Sequence, residues 1–250
     1  VSRTLLVTND FPPRAGGIQQ FVHNLAIRQP PDSLVVYCSR SPGWEAFDAQ
    51  QPFEVVREDT TMLLPTPAVG RRAVELARDR GCDRAWFGAA APLGLLAGPL
   101  RDRAGVKRTL ALTHGHEAGW AALPGARAML RRIAREVDVT TYLGEYFRVR
   151  LDRAIGGLTT LDRLAPGVDI ETFTPHVDGS AIRSSYGLTD RPVIVCVSRL
   201  VPRKGQDALI RALPQVRHRV PDAALLLVGG GPHRSTLDSL AAEQGVAPDV

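Results

Sequence analysis

The chain has 250 residues, 44% of them hydrophobic and 23% charged, which is enough to bury a sizeable core and fits a globular protein. Its net charge of +5 is carried almost wholly by arginine, Lys107 and Lys204 being the only lysines. GC-rich coding explains that balance, and with no aromatic-plus-basic platform in view no nucleic-acid partner is expected. No apolar run approaches the ~20 residues of a membrane-spanning helix, and the chain opens directly on a strand, so no secretory signal is expected. Cys38, Cys82 and Cys196 are odd in number and lack metal spacing, which points to core packing in a reducing cytoplasm.

Apolar segments alternate between strand-like and helix-like patterns from end to end. In chain order they predict strand 3–8, helix 17–29, strands 34–39 and 53–57, helix 68–80, strand 84–88 and helix 92–104. Strand 108–113, helix 124–136, strand 137–142, helix 145–155 and strand 159–164 follow. The stretch "APGVDIETFTPHVDGS" (165–180) breaks the alternation, which restarts as helix 180–186, strand 192–198, helix 205–219, strand 223–228 and helix 233–244. Short strands that are apolar on both faces and alternate with helices predict an α/β protein with parallel, doubly wound sheets. The expected division is a complete domain over 1–172 and the opening of a second over 173–250. A remnant of two strands and two helices would leave a large apolar face uncovered, so the second domain is expected to be truncated in this chain.

Four stretches carry chemistry. In "TNDFPPRAGGIQQFVHNLA" (8–26) a proline-stiffened loop leads into Gly16 and Gly17 at a helix start, where free amides can meet an anion. The alternative is an ordinary flexible turn. In "LTHGHEAGW" (112–120), His114 and His116 stand at the carboxyl end of a strand, the edge where open parallel sheets bind ligands. Histidine, glycine, histidine and glutamate supply too few ligands for a metal site. In "VCVSRLVPRKGQDAL" (195–209), Arg199 and Lys204 flank a turn at the end of an apolar strand and can hold a diphosphate, the bland alternative being a solvated basic turn. Arg203 between them is expected to be exposed. In "LLLVGGGPHRSTL" (225–237), Gly229, Gly230 and Gly231 allow close approach of backbone and ligand. Arg127, Arg131 and Arg135 form a stripe on helix 124–136 that either is solvated or lies on anionic lipid.

Taken in this order, "GGIQQFV", "THGHE", "APGVD", "SRLVPRKGQDALI" and "LLLVGGGP" resemble retaining glycosyltransferases of the GT-B architecture, family four. Within it the chain looks like the actinobacterial phosphatidylinositol mannoside mannosyltransferases, through "TNDFPPRAGGIQ" and "THGHE". The resemblance implies two Rossmann-like domains facing a cleft. It also implies a hexose, mannose from GDP-mannose, moved onto a glycolipid acceptor such as phosphatidylinositol monomannoside, with no metal or other cofactor. Arg199 and Lys204 would neutralise the departing diphosphate, with Gly16 and Gly17 bonding the same group. His114 would sit by the reacting sugar, with His116 a lesser substrate contact. Pro166, Gly167 and Val168 would form the hinge side, and Gly229 to Gly231 would receive the nucleotide. The expected location is cytoplasmic, with peripheral contact at the inner face of the plasma membrane.

One departure matters. The paired glutamates of the family, spaced by seven residues, have no counterpart after Gly231, where Glu243 stands in the wrong context. The chain as given is therefore expected to bind donor poorly, while its parent enzyme would be active. Competing expectations are a transferase or epimerase using a UDP-linked sugar and a non-catalytic sugar-nucleotide-binding protein. A nicotinamide-dependent oxidoreductase would require the G-x-G-x-x-G that is absent.

Overall fold

The structure is a computed structural model, and it describes residues 2–250. The chain divides into two compact units between Gly167 and Val168, inside the predicted junction. The first unit runs β1 (Arg3–Thr8), α1 (Gly17–Ala26), β2 (Leu34–Ser39), α2 (Trp44–Asp48), β3 (Glu54–Glu58), α3 (Pro67–Asp79) and β4 (Cys82–Phe87). A 3-10 turn (Leu93–Leu96) then leads into α4 (Ala97–Ala104), followed by β5 (Arg108–Ala111), α5 (Glu117–Trp120), α6 (Pro124–Glu136), β6 (Val139–Tyr142), α7 (Glu145–Ile155) and β7 (Thr160–Arg163). The strands form one seven-stranded sheet in the order β3-β2-β1-β4-β5-β6-β7, parallel throughout.

Both faces of that sheet are covered at its centre, which is why β2 is buried at every residue. One core joins Leu5, Val35, Phe87 and Ala111 to helices α3, α4, α6 and α7 through Leu76, Leu100, Ile133 and Leu151. The other joins Leu6, Val36, Trp86 and Leu112 to Phe21 and Val22 of α1. Local signals set the helix starts: the Thr66 hydroxyl accepts the Val69 amide at 3.3 Å, and Pro67 and Pro124 open α3 and α6. A groove of about 500 Å³ runs beside α1, lined by Leu25, Trp86, Leu110, Leu112, Val139 and Leu164 among others, on the sheet face rather than at its carboxyl edge.

The second unit holds α8 (Ser180–Ser185), β8 (Val193–Val197), a 3-10 turn (Pro202–Lys204), α9 (Gln206–Arg219), β9 (Ala224–Val228), α10 (Arg234–Glu243) and a last 3-10 turn (Ala247–Asp249). β8 and β9 pair in parallel, and Leu225 packs with Ile210 and Leu213 of α9 and Leu237 and Leu240 of α10. Register puts Val195 and Val197 beside Leu226 and Val228 on the other face, where Val195 is 54%, Val197 74% and Val228 42% exposed. The helices cover one face only, and the apolar face expected to stay uncovered in this unit is the one that carries Val195, Val197 and Val228. The predicted helix 92–104 is two pieces, and α2 and α5 were not foreseen.

Cys38 and Cys82 are buried, and burial pushes their thiols up to about 12 and about 11 respectively. Cys196 is partly exposed. In the folded protein at pH 8 a thiol-specific disulfide reagent is expected to modify Cys196 alone, and all three cysteines after unfolding. Peptide mapping of the labelled chain checks this.

Candidate active site

In the first unit the strand order reverses between β1 and β4, so their carboxyl ends open the crevice where such sheets bind ligands. The loop leaving β1 is held at its start. Thr8 Oγ1 accepts the Asp10 amide at 2.9 Å, and Asp10 Oδ1 accepts from Gln19 Nε2 at 2.7 Å. Gly16 caps α1 without any side-chain cap or acidic residue in the first turn, and the first helical amide to find a carbonyl is that of Gln20, 3.0 Å from Gly16 O. The amides before it point out of the helix start with its positive dipole end behind them. Space beside Gly17 is open, whereas the Gln19 side chain covers Gly16.

His114 stands just past β5, its Nε2 2.6 Å from Gly88 O at the end of β4. A carbonyl only accepts, so Nε2 carries the proton and Nδ1 of the neutral ring is left as an acceptor. Phe21 of α1 meets the ring edge-on at 6.0 Å, which ties α1 and His114 to the same sheet edge. The His114 amide donates to Glu117 Oε2 at 2.9 Å. Glu117 is fully buried, and its Oε1 lies 3.3 Å from His116 Nε2 without hydrogen-bond geometry. His116 stacks 6.4 Å from His114 and meets Trp120 at 5.1 Å. Glu117, passed over as a site residue in the sequence, thus fixes the backbone under His114. An acid three residues after the histidine was the available signal.

In the second unit Arg199 and Lys204 are exposed, and neither side chain makes a hydrogen bond or ion pair with the described residues. Arg203 is exposed and unpaired as well, so pairing does not set it apart from its neighbours. Beneath them the backbone is fixed. Leu200 N donates to Gly230 O at 2.9 Å and His233 N to Leu200 O at 3.1 Å. Gln206, 1% exposed, donates from Nε2 to Ser198 Oγ at 2.8 Å and to Arg199 O at 2.9 Å. Nothing in the local sequence marks Gln206; only its contacts reveal a role.

The three glycines after β9 divide their work. A Cβ on Gly229 (φ 146°) would collide with Ser198 O and one on Gly231 (φ 158°) with Leu200 O, whereas nothing lies near Gly230. Gly229 and Gly231 therefore let two strand-end loops touch, and Gly230 alone has open space beside it. Gly229→Ala and Gly231→Ala are each expected to destabilise the chain by roughly 1–3 kcal/mol. Gly230→Ala should change stability little, with urea unfolding as the measurement.

Pro166 and Gly167 end the first unit and Val168 begins the second, all three exposed. On α6, Arg127 Nη2 donates to Arg153 O at 2.9 Å and Arg131 Nη1 to Ala154 O at 2.8 Å. Two arginines of the stripe thus cap the carboxyl end of α7. Among the described residues no three His, Cys, Asp or Glu side chains group as metal ligands, and no helix is long and apolar enough to cross a membrane.

A family model described as Glycosyl transferases group 1 matches residues 179–250. The GDP-mannose-dependent alpha-(1-6)-phosphatidylinositol monomannoside mannosyltransferase of Mycolicibacterium smegmatis is 51% identical over 98% of this chain and 65% of its own length. The GDP-mannose-dependent monoacylated alpha-(1-6)-phosphatidylinositol monomannoside mannosyltransferase of Corynebacterium glutamicum is 49% identical over 96% of this chain and 64% of its own. The chain thus spans just under two thirds of the length of these relatives. Among solved structures, Anabaena HepE in complex with UDP superposes with a TM-score of 0.81 at 18% identity, over 99% of this chain and 68% of that one, a likeness of fold. Residues 179–250 thus form a group 1 glycosyl transferase domain, and the chain as a whole has the GT-B fold class and is similar to these mannosyltransferases.

Proposed function

We propose that the protein transfers mannose from GDP-mannose to a phosphatidylinositol monomannoside acceptor with retention at the anomeric carbon. The observation that carries this is the pair of exposed cations, Arg199 and Lys204, left without counter-ions on a fixed turn at the end of β8. Relatives about half identical over nearly the whole chain, and named for that reaction, support it. In the transfer the bond from the anomeric carbon to the diphosphate oxygen breaks, and a bond from that carbon to an acceptor hydroxyl forms as the hydroxyl loses its proton. Negative charge grows on the departing diphosphate. In the second unit the guanidinium and the ammonium meet that charge, and in the first unit the helix-start amides of Gly16 and Gly17 offer an anion a place of their own, so the chain's own groups do the electrostatic work assigned elsewhere to a metal ion. Lys204 supplies a compact point charge where nearly every other cation of the chain is arginine.

His114, with Nε2 fixed by Gly88 O, offers Nδ1 as an acceptor to a hydroxyl of the sugar or the acceptor. His116 is a secondary contact, Gly230 receives the nucleotide between its two packing glycines, and Pro166 to Val168 supply the hinge. The acceptor's lipid part implies work at the cytoplasmic face of the plasma membrane. On α6, Arg135 makes no bond to the described residues and remains the stripe's offering to anionic lipid.

Lys204→Ala is expected to lower turnover by ~10²-fold or more with a smaller effect on acceptor KM. Wild-type turnover in steady-state kinetics of that variant would remove Lys204 from the mechanism. Thermal stabilisation of the full-length protein by GDP and GDP-mannose, but not by UDP or NAD, is the matching test of donor class. Stabilisation by NAD alone would overturn the function.

A further inference from the structure

We propose that Arg57, remote from the reacting groups, is a positioning residue that fixes the loop carrying Gly16 and Gly17, and that its ion pair with Asp48 holds it to that task. The inference rests on the donor-diphosphate role of that loop. Arg57 lies on β3 with its side chain 1% exposed, and Asp48 ends α2 with its side chain 12% exposed. The guanidinium donates from Nε to Asp48 Oδ2 at 2.9 Å and from Nη2 to Asp48 Oδ1 at 2.8 Å. It also donates from Nη1 to Ser39 O at 3.0 Å and from Nη2 to Pro12 O at 2.6 Å. Pro12 is in the loop, and among the described residues no backbone amide bonds its carbonyl.

Next to it, Phe11 is 2% exposed beneath the guanidinium, whose carbon is 6.0 Å from the ring. Phe11 meets His23 of α1 at 5.6 Å, Phe47 of α2 at 6.0 Å and Phe53 at 6.3 Å. The loop is therefore tied at Asp10 by Gln19, at Phe11 by an aromatic cluster and at Pro12 by Arg57, while Arg14 to Gly17 stay exposed. A buried ion pair is a poor device for stability alone, since apolar residues of similar volume commonly serve as well. What it adds is direction. The planar fork fixes its donors relative to one another, so β2, α2 and the loop are held in one frame, which neither a lysine nor an apolar residue can reproduce.

The double substitution Arg57→Met with Asp48→Leu separates position from stability. It removes both buried charges together and leaves Pro12 O without its donor. Three quantities are read on the full chain: the melting temperature, the GDP affinity by calorimetry, and the initial rate of tryptic cleavage after Arg14. Arg57→Met alone should lower the melting temperature, because Asp48 is left unpaired. The double variant should regain most of that loss yet bind GDP roughly tenfold more weakly and be cut faster after Arg14. If it does not fold, Arg57→Lys carries the same test, since it keeps the charge but cannot reach three acceptors. Wild-type GDP affinity and wild-type cleavage in the folded variant would overturn the proposal. Absence of GDP binding by the unmodified protein, with faster cleavage in the variant, would instead strike the donor assignment and leave the role of Arg57 standing.

Discussion

Exposed cations without counter-ions among the described residues, mounted on hydrogen-bonded backbone, are the constraint on which the proposed chemistry depends. Arg199 and Lys204 gain nothing for the fold by being where they are. Left exposed and unpaired, they contribute only when an anion arrives. The backbone under them is the opposite: Leu200 is 4% exposed and bonded on both sides, and Arg199 O is held by Gln206. Backbone already fixed under a cation leaves only the side chain to settle as charge develops on a leaving group, and the less there is to reorganise the stronger electrostatic stabilisation becomes.

The first unit follows the same division with a different instrument. The groups proposed to face an anion there are backbone amides at the start of α1, and the mount is a set of buried polar side chains behind them. Gln19 ties the loop to its own helix, and Arg57 ties it to β2 and α2. Glu117 does the equivalent for His114, taking the backbone amide so that the ring can bond Gly88 O. The residues expected to touch substrate are glycines and a histidine; the residues that aim them are a glutamine, an arginine and a glutamate.

That division explains what the sequence could and could not disclose. All nine strands among the described residues were legible, central ones such as β2 as two-sided apolar runs and outer ones such as β7 by their place in the strand–helix alternation. The residues proposed to face substrate stand out as well, since glycine at a helix start or a lysine among arginines is conspicuous in one dimension. The aiming residues were not, because nothing local marks Arg57 or Gln206 apart from any polar residue at a helix or strand end. The helix α2 was missed for a related reason: it has five residues and buries none of them, so it shows no periodic face. Yet it delivers Phe47 and Asp48 to the loop. The arginine stripe of α6 misled in the other direction, since a helical repeat of charge looks solvated or lipid-facing until carbonyls of α7 are found beneath Arg127 and Arg131.

Two buried oxygens bear on whether the aiming residues exist for stability or for function. Glu117 Oε1 and Gln206 Oε1 are buried and make no hydrogen bond with the described residues, His116 Nε2 lying near the first at 3.3 Å without bonding geometry. An unsatisfied buried acceptor costs about 1–3 kcal/mol, more when charged, and each belongs to a residue whose other polar atom holds a site loop. A core built for stability would replace such side chains with apolar ones of the same volume. Keeping both, one at the carboxyl end of β5 and one after β8, is consistent with polar networks retained for position at the sites they serve. The same pattern in two units, each a parallel sheet with helices, argues that fixed geometry behind the proposed site loops is what this chain protects most.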